Sequence, residues 1–264
     1  MKIKIPAQTA LEITNEIVNH DVLPKSQMGT NIDPSNRNNK FIGVIKHKDG
    51  NNRVYQLLGI EHEDRFYISA LPSPTQLYLT TALELYEISE QRKSINFKNC
   101  GKQSNDSNVY LLDFDEGYTH ECYTDYIKSR ISSIIMLVST LENFMNQVIP
   151  EDFVYSKEVK GEVRKYNHRK IEDNISFMEK LQFVVPAAIN QIDFWNNKAQ
   201  ELESLIELYK HRKEFIHLKT KSEEEWKRYS DVFSQMLKFD ILNAITITIG
   251  IINAIEKNFI ETEN

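Results

Sequence analysis

Arg212 and His217, with four residues between them, are the pair in this chain best suited to phosphate chemistry. A guanidinium keeps its charge and can hold an anion, whereas an imidazole titrates near neutrality and can exchange a proton. Lys210, Lys213, Lys219 and Lys221 crowd the same segment, and His211 adds a further basic group, so a polyanion would meet a local positive patch there. The segment closes a run from Trp195 to Tyr209 that reads as an amphipathic helix. The whole motif helix is expected from about Asp193 to Lys219.

The elements that must position these residues divide the chain near residue 120. After Glu121 the apolar residues Ile127, Ile131, Ile134, Ile135, Val138, Leu141, Met145 and Val148 fall mostly three and four apart, defining one face of a long helix that Pro150 ends. A charged segment from Lys157 to Lys170 follows. Ile171 to Val185 reads as a helix stopped by Pro186, then comes the motif helix, then an apolar region from Trp226 to Ile255. Ala244 to Ile251 alternates like a strand, but the longer period of Phe233, Leu237, Ile241, Ile245 and Ile252 favours helix. Helices of this size and number pack as a bundle.

Residues 1–120 read as a small mixed domain, so the fold class is α+β: a mixed N-terminal domain that regulates or selects a target, followed by an all-α bundle over 121–264. Lys2 to Ile5 suits a short strand, and Ala10 to Val18 carries apolar residues at helical intervals. Phe41 to Lys46 and Val54 to Ile60 flank Asp49-Gly50, a strong hairpin signal, and Arg65 to Ala70 suits a third strand. Gln76 to Ile88 fits strand and helix equally. Gly101 to Asn108 is a polar connector, and Val109 to Phe114 suits one more strand.

The bundle resembles the HEPN family of helical nucleic-acid enzymes. The likeness rests on Arg212 and His217 near the end of a late helix and on the polar residues Ser139, Glu142 and Asn146 within the apolar face of the first long helix. The resemblance implies a metal-independent endoribonuclease, of the kind used as a toxin or phage-defence effector, with Arg212, His217 and Glu142 catalytic and Asn146 in support. Lys210, Lys213, Lys219 and Lys221 would bind the nucleic acid. It also implies RNA as partner, no cofactor and no metal, and a homodimer through the helical half that brings two motifs into one cleft. Lys213 departs from the Asn, Asp or His that often follows the family's Arg, which bears on catalytic competence. Lys219 stands where one subgroup has a modifiable Tyr. Two other functions remain open: a non-catalytic HEPN-like module for RNA binding or dimerisation, and a plain helical interaction protein. Arg and His are common near helix C-termini simply because they offset the macrodipole.

Geometry adds two expectations. Glu142 projects between Val138 and Ile135, inside the apolar stripe, where a carboxylate needs a cationic partner, and Arg212 or His217 is the expected one. Residues five apart on a straight helix point about 140° apart, so the helix must end or distort between Arg212 and His217, or a second subunit must complete the site.

Composition narrows the function classes. The 264-residue chain has a net charge of -6, is 41% hydrophobic and 27% charged, and neither part divided at residue 120 has more basic than acidic residues, so nucleic-acid contact must come from local patches. Two cysteines without zinc spacing fit a reducing compartment. Met1 to Pro6 lacks the apolar run of a signal peptide, and no apolar span reaches about 18 residues. A cytoplasmic, non-membrane protein is the expectation. Lys157, Lys160, Arg164, Lys165, His168, Arg169 and Lys170 suit an RNA backbone, yet interleaved acids read more simply as a solvated face. Two acidic clusters, Asp113, Asp115 and Glu116 before His120, and Glu61, His62, Glu63 and Asp64, splay their side chains too widely for a good cation site. Hydrolase, NTPase and dinucleotide-binding signatures are missing from the sequence.

Overall fold

The computed structural model describes residues 2–4, 9–13, 41–46, 52–69, 73–98, 101–103, 110–112, 118–219 and 221–263. The chain divides into two compact units, residues 1–73 with 259–264, and residues 74–258. The division falls at Pro74, not at residue 120, because the ambiguous stretch Gln76 to Ile88 is helical and packs with the second unit.

In the first unit β1 (Lys2–Lys4) pairs antiparallel with β10 (Glu261–Glu263). A separate antiparallel sheet is built on the long strand β4 (Asn52–His62), which pairs with β2 (Thr9–Ile13), β3 (Phe41–Lys46) and β5 (Arg65–Ser69). The expected hairpin forms in register from Phe41↔Leu57 to Lys46↔Asn52. Its Asp49-Gly50 turn lies outside the described residues. β5 follows a two-residue turn in which Glu63 and Asp64 both take positive φ, 47° and 59°, the twist a tight hairpin needs. Thr9–Ile13 is a strand, against the helical reading of Ala10 to Val18, and β pairing with β4 supplies what local spacing could not.

The second unit is helical. α1 (Pro74–Lys98) opens on a proline, which fits the first helical position because its missing N–H has no helical partner there. It runs antiparallel to α2 (Tyr118–Val148), tied by Ser133 Oγ donating to Ala82 O at 2.7 Å and by the Arg92–Asp125 ion pair at 3.2 Å. Leu79 and Ala82 of α1 and Ile134, Leu137, Leu141 and Met145 of α2 are buried, each large side chain contributing roughly 1.5 to 3 kcal/mol of burial. Short strands β6 (Gly101–Gln103) and β7 (Tyr110–Leu112) pair between the two helices.

The charged segment after α2 is a hairpin of β8 (Val154–Val159) and β9 (Glu162–Asn167), turned at Lys160 and Gly161 with φ 55° and 83°. The single helix expected over Ile171 to Val185 is broken. α3 (His168–Asn174) stops at an extended Ile175, and Ser176 caps α4 (Phe177–Glu179) by accepting from Glu179 N at 3.3 Å. One π-helical turn, Lys180–Val184, then leads into α5 (Val185–Ala188), which contains Pro186 in its first turn. Pro186 has no N–H for the Gln182 carbonyl, so the wide turn forms where the ordinary ladder is interrupted.

The motif helix α6 (Ala199–Ile216) is shorter than expected at both ends. The apolar C-terminal region is two helices, α7 (Glu223–Lys238) and α8 (Ile241–Ile255), bent by 67°. Asp240 caps α8 by accepting from Asn243 N at 3.0 Å, which fixes the corner. α2 packs against α1, α6 and α8. Arg130 on α2, only 3% exposed, donates to Met236 O at 3.2 Å and Phe239 O at 2.7 Å, and pairs with Glu90 of α1 at 3.3 Å. A guanidinium at the carbonyl end of α7 satisfies groups the helix leaves unpaired and offsets its dipole. No single described helix is long and apolar enough to cross a membrane.

Candidate functional site

α6 ends between the two motif residues. Ile216 is its last helical residue, and His217 leaves the helical path with φ -107° and ψ 12°, its N–H turned to Glu214 O at 3.2 Å. Lys213 in the last turn fits the negative end of the helix dipole. Beyond the end, the exposed His217 lines a surface depression of about 270 Å³ together with Leu218, Lys219, Glu225 and Arg228.

The charges around this depression are not equally free. Glu225 Oε2 accepts from the backbone N–H groups of Lys221 at 2.6 Å and Ser222 at 3.1 Å, while Ser222 Oγ accepts from Glu225 N at 3.2 Å. This reciprocal cap starts α7 and occupies the carboxylate. Arg228, one turn on, reaches across to Glu214 of α6, donating from Nε at 3.1 Å and from Nη2 to the same oxygen. His217 and Lys219 have no side-chain hydrogen bond or ion pair with a described residue. The depression therefore presents three basic side chains, His217, Lys219 and Arg228, beside the Glu225 carboxylate, with Arg228 also paired to Glu214.

Arg212 is half-buried and is not among the lining residues. It makes no hydrogen bond or ion pair with a described residue, so the helix end alone does not bring it together with His217. Lys210, Lys213, Lys219 and Lys221 are all exposed, and of these only Lys219 lines the depression. His211, beside Arg212, is buried against the ring of Phe239 at 4.6 Å and lies 3.8 Å from Glu207. Burial pushes its pKa below the ordinary value, with the Glu207 and Glu214 carboxylates acting in the opposite sense.

Asn146 serves a buried lysine and not the motif helix. Lys180, 1% exposed at the start of the π-helical turn, donates to Asn146 Oδ1 at 2.9 Å and to Glu172 O at 3.1 Å. Burial lowers its pKa, and the carboxylates of Glu142, Glu172 and Asp173 act to raise it. Glu142 acts on Lys180 through its charge and makes no hydrogen bond or ion pair with Arg212, His217 or any other described residue, so the expected contact with the motif helix is not formed. His168 Nε2 lies 3.3 Å from Asn146 O, completing a polar cluster around the lysine. A lone buried lysine has no periodic signature, and nothing in the spacing of Lys180 announced it.

Among the described residues no group of three or more His, Cys, Asp or Glu is placed to hold a metal ion. Asp113, Asp115 and Glu116 lie outside the described residues, and Glu61 to Asp64 form the exposed end of the β4–β5 hairpin. No protein-family model matches the chain, and no curated protein or solved structure matches it.

Proposed function

We propose that the helical unit is a HEPN-type metal-independent endoribonuclease. The observation that carries this reading is the end of α6 at Ile216, which releases His217 from the helix and sets it in a depression with two cations, Lys219 and Arg228, and the Glu225 carboxylate. In the proposed reaction the substrate's 2′-oxygen attacks the adjacent phosphorus and the bond from phosphorus to the 5′-oxygen breaks. The proton leaves the 2′-hydroxyl and a proton is delivered to the departing 5′-oxygen, giving a 2′,3′-cyclic phosphate and a 5′-hydroxyl. His217 exchanges one of these protons and the cations offset the charge that develops on the phosphate. Arg212 takes the phosphate-holding part that the family likeness assigns it, in a cleft completed by a second copy. Within α8, Ile241, Ala244, Ile245, Ile249, Ile251 and Ile252 are already buried inside the helical unit, which leaves Leu242, 45% exposed, for contact with a second copy.

The placement of Arg212 away from the depression favours a second reading, an RNA-binding module of the same build that does not cut. Incubating single-stranded RNA with wild type and with His217→Ala, each with and without EDTA, separates the two. Cleavage by wild type that is lost in His217→Ala and unchanged by chelator supports the ribonuclease. Cleavage that survives the substitution, or stops with EDTA, rules the mechanism out.

A further inference from the structure

We infer that Arg228 is the phosphate-orienting cation on the His217 side of the site and that Glu214 holds it in readiness. This rests on the reading that the depression takes an RNA phosphate, and it gives a role to a residue outside the Arg212–His217 motif.

Arg228 lines the same depression as His217, whereas Arg212 does not. The side chain is 60% exposed, and both its Nε and Nη2 donate to one carboxylate oxygen of Glu214. Glu214 lies on the last turn of α6, three residues before His217, whose N–H bonds to the Glu214 carbonyl. One residue therefore sets the imidazole's backbone through its carbonyl and the guanidinium through its carboxylate. Glu225, the carboxylate that lines the depression among the described residues, accepts two backbone N–H groups on Oε2 and makes no ion pair with Arg228.

A guanidinium has five N–H donors, and Glu214 uses those of Nε and Nη2. The remaining donors can take a phosphate in the fork geometry that suits arginine, a task lysine performs only as a point charge. Glu214 also sets a threshold. Its carboxylate opposes anion binding by charge while it fixes the guanidinium by geometry, so phosphate and carboxylate compete for one cation. The ligand implied is a phosphodiester of single-stranded RNA, its phosphate between His217, Lys219 and Arg228.

The test uses a single-stranded oligonucleotide with 2′-O-methyl riboses, which lacks the attacking hydroxyl and reports binding whether or not the enzyme cuts. Wild type should bind with a salt dependence characteristic of phosphate contacts. Arg228→Ala should weaken binding about tenfold at low salt and reduce the log–log salt slope by about 0.7, one phosphate contact on a single strand. Arg228→Lys should restore the slope but only part of the affinity, and Glu214→Gln should tighten binding. Thermal unfolding of Arg228→Ala should match wild type, since an exposed ion pair contributes little to stability. No binding by wild type, or binding by Arg228→Ala equal to wild type with the same slope, overturns the inference. Loss of binding in Arg228→Ala with no RNA cleavage by wild type upholds this inference and removes the ribonuclease. Cleavage lost in His217→Ala, with Arg228→Ala binding as wild type, does the reverse.

Discussion

Asn146 Oδ1 accepts a 2.9 Å hydrogen bond from Lys180 Nζ, an ammonium group that is 1% exposed. Asn146 is thereby committed to a buried cation, whereas Ser139 donates to Ile135 O of its own helix. Asn146→Ala should destabilise the helical unit by roughly 1 to 3 kcal/mol, because it strands a buried donor. Replacing the lysine itself by methionine should be far milder, since it removes the group that needs satisfying. Urea titration of the two variants gives the comparison, and equal losses would contradict the assignment.

Stability should fall with acid below about pH 6.5, the ordinary value for histidine. His211 is buried and its folded pKa is lowered, so in the window between the folded and unfolded values the unfolded chain binds more protons. Stability then rises with pH across that window, is complete above the unfolded value, and is lost as pH falls through the folded one. Glu207 and Glu214 act against this shift and narrow the window. His211→Phe should flatten the stability profile over that interval, and an unchanged profile would mean another group titrates there.

His217→Ala and Arg212→Ala should each lower RNA cleavage by about 100-fold or more, the usual scale for removing a proton-transfer group or its electrostatic partner. The double variant should resemble the single ones, as groups that act as a unit are not additive. Losses that multiply in single-turnover assays would show two independent sites.

Gly161→Ala should destabilise the β8–β9 hairpin by about 1 kcal/mol or more, because φ is 83° and an alanine there is strained. Lys160→Asn, at φ 55°, should be neutral or stabilising, as asparagine tolerates that conformation better. Chemical denaturation of both variants checks the pair, and a stabilising Gly161→Ala would refute the turn.

Much of the architecture was legible where periodicity was long or turn chemistry strong. The α2 face, the β3–β4 hairpin, β5 and the helical form of Ala244 to Ile251 all read correctly. Misreadings came where a short local signal was overridden. Thr9–Ile13 is held extended by β4, and the period of Ile171 to Val185 hid the Ser176 cap and the Pro186 defect. Gln76 to Ile88, which is helical within α1, stayed ambiguous because its apolar spacing suits two periods. At the candidate site, the motif residues were visible but their neighbours were not. Glu214 and Arg228 are fourteen positions apart on different helices, and only the folded turn between α6 and α7 makes them a pair.

Arg130 divides α7 into two ends of different persistence. At the carbonyl end, fraying would strand a guanidinium that is 3% exposed, so amides there should exchange with solvent only when the α2 core opens. At the other end the helix is closed by Ser222 and Glu225, an exposed cap that opens at little expense. Protection against hydrogen exchange should therefore rise along α7 from Glu223 to Lys238. Arg228 lies nearer the capped end, so its pairing with Glu214 of α6 is a tie between the two helices on the side of α7 expected to exchange sooner.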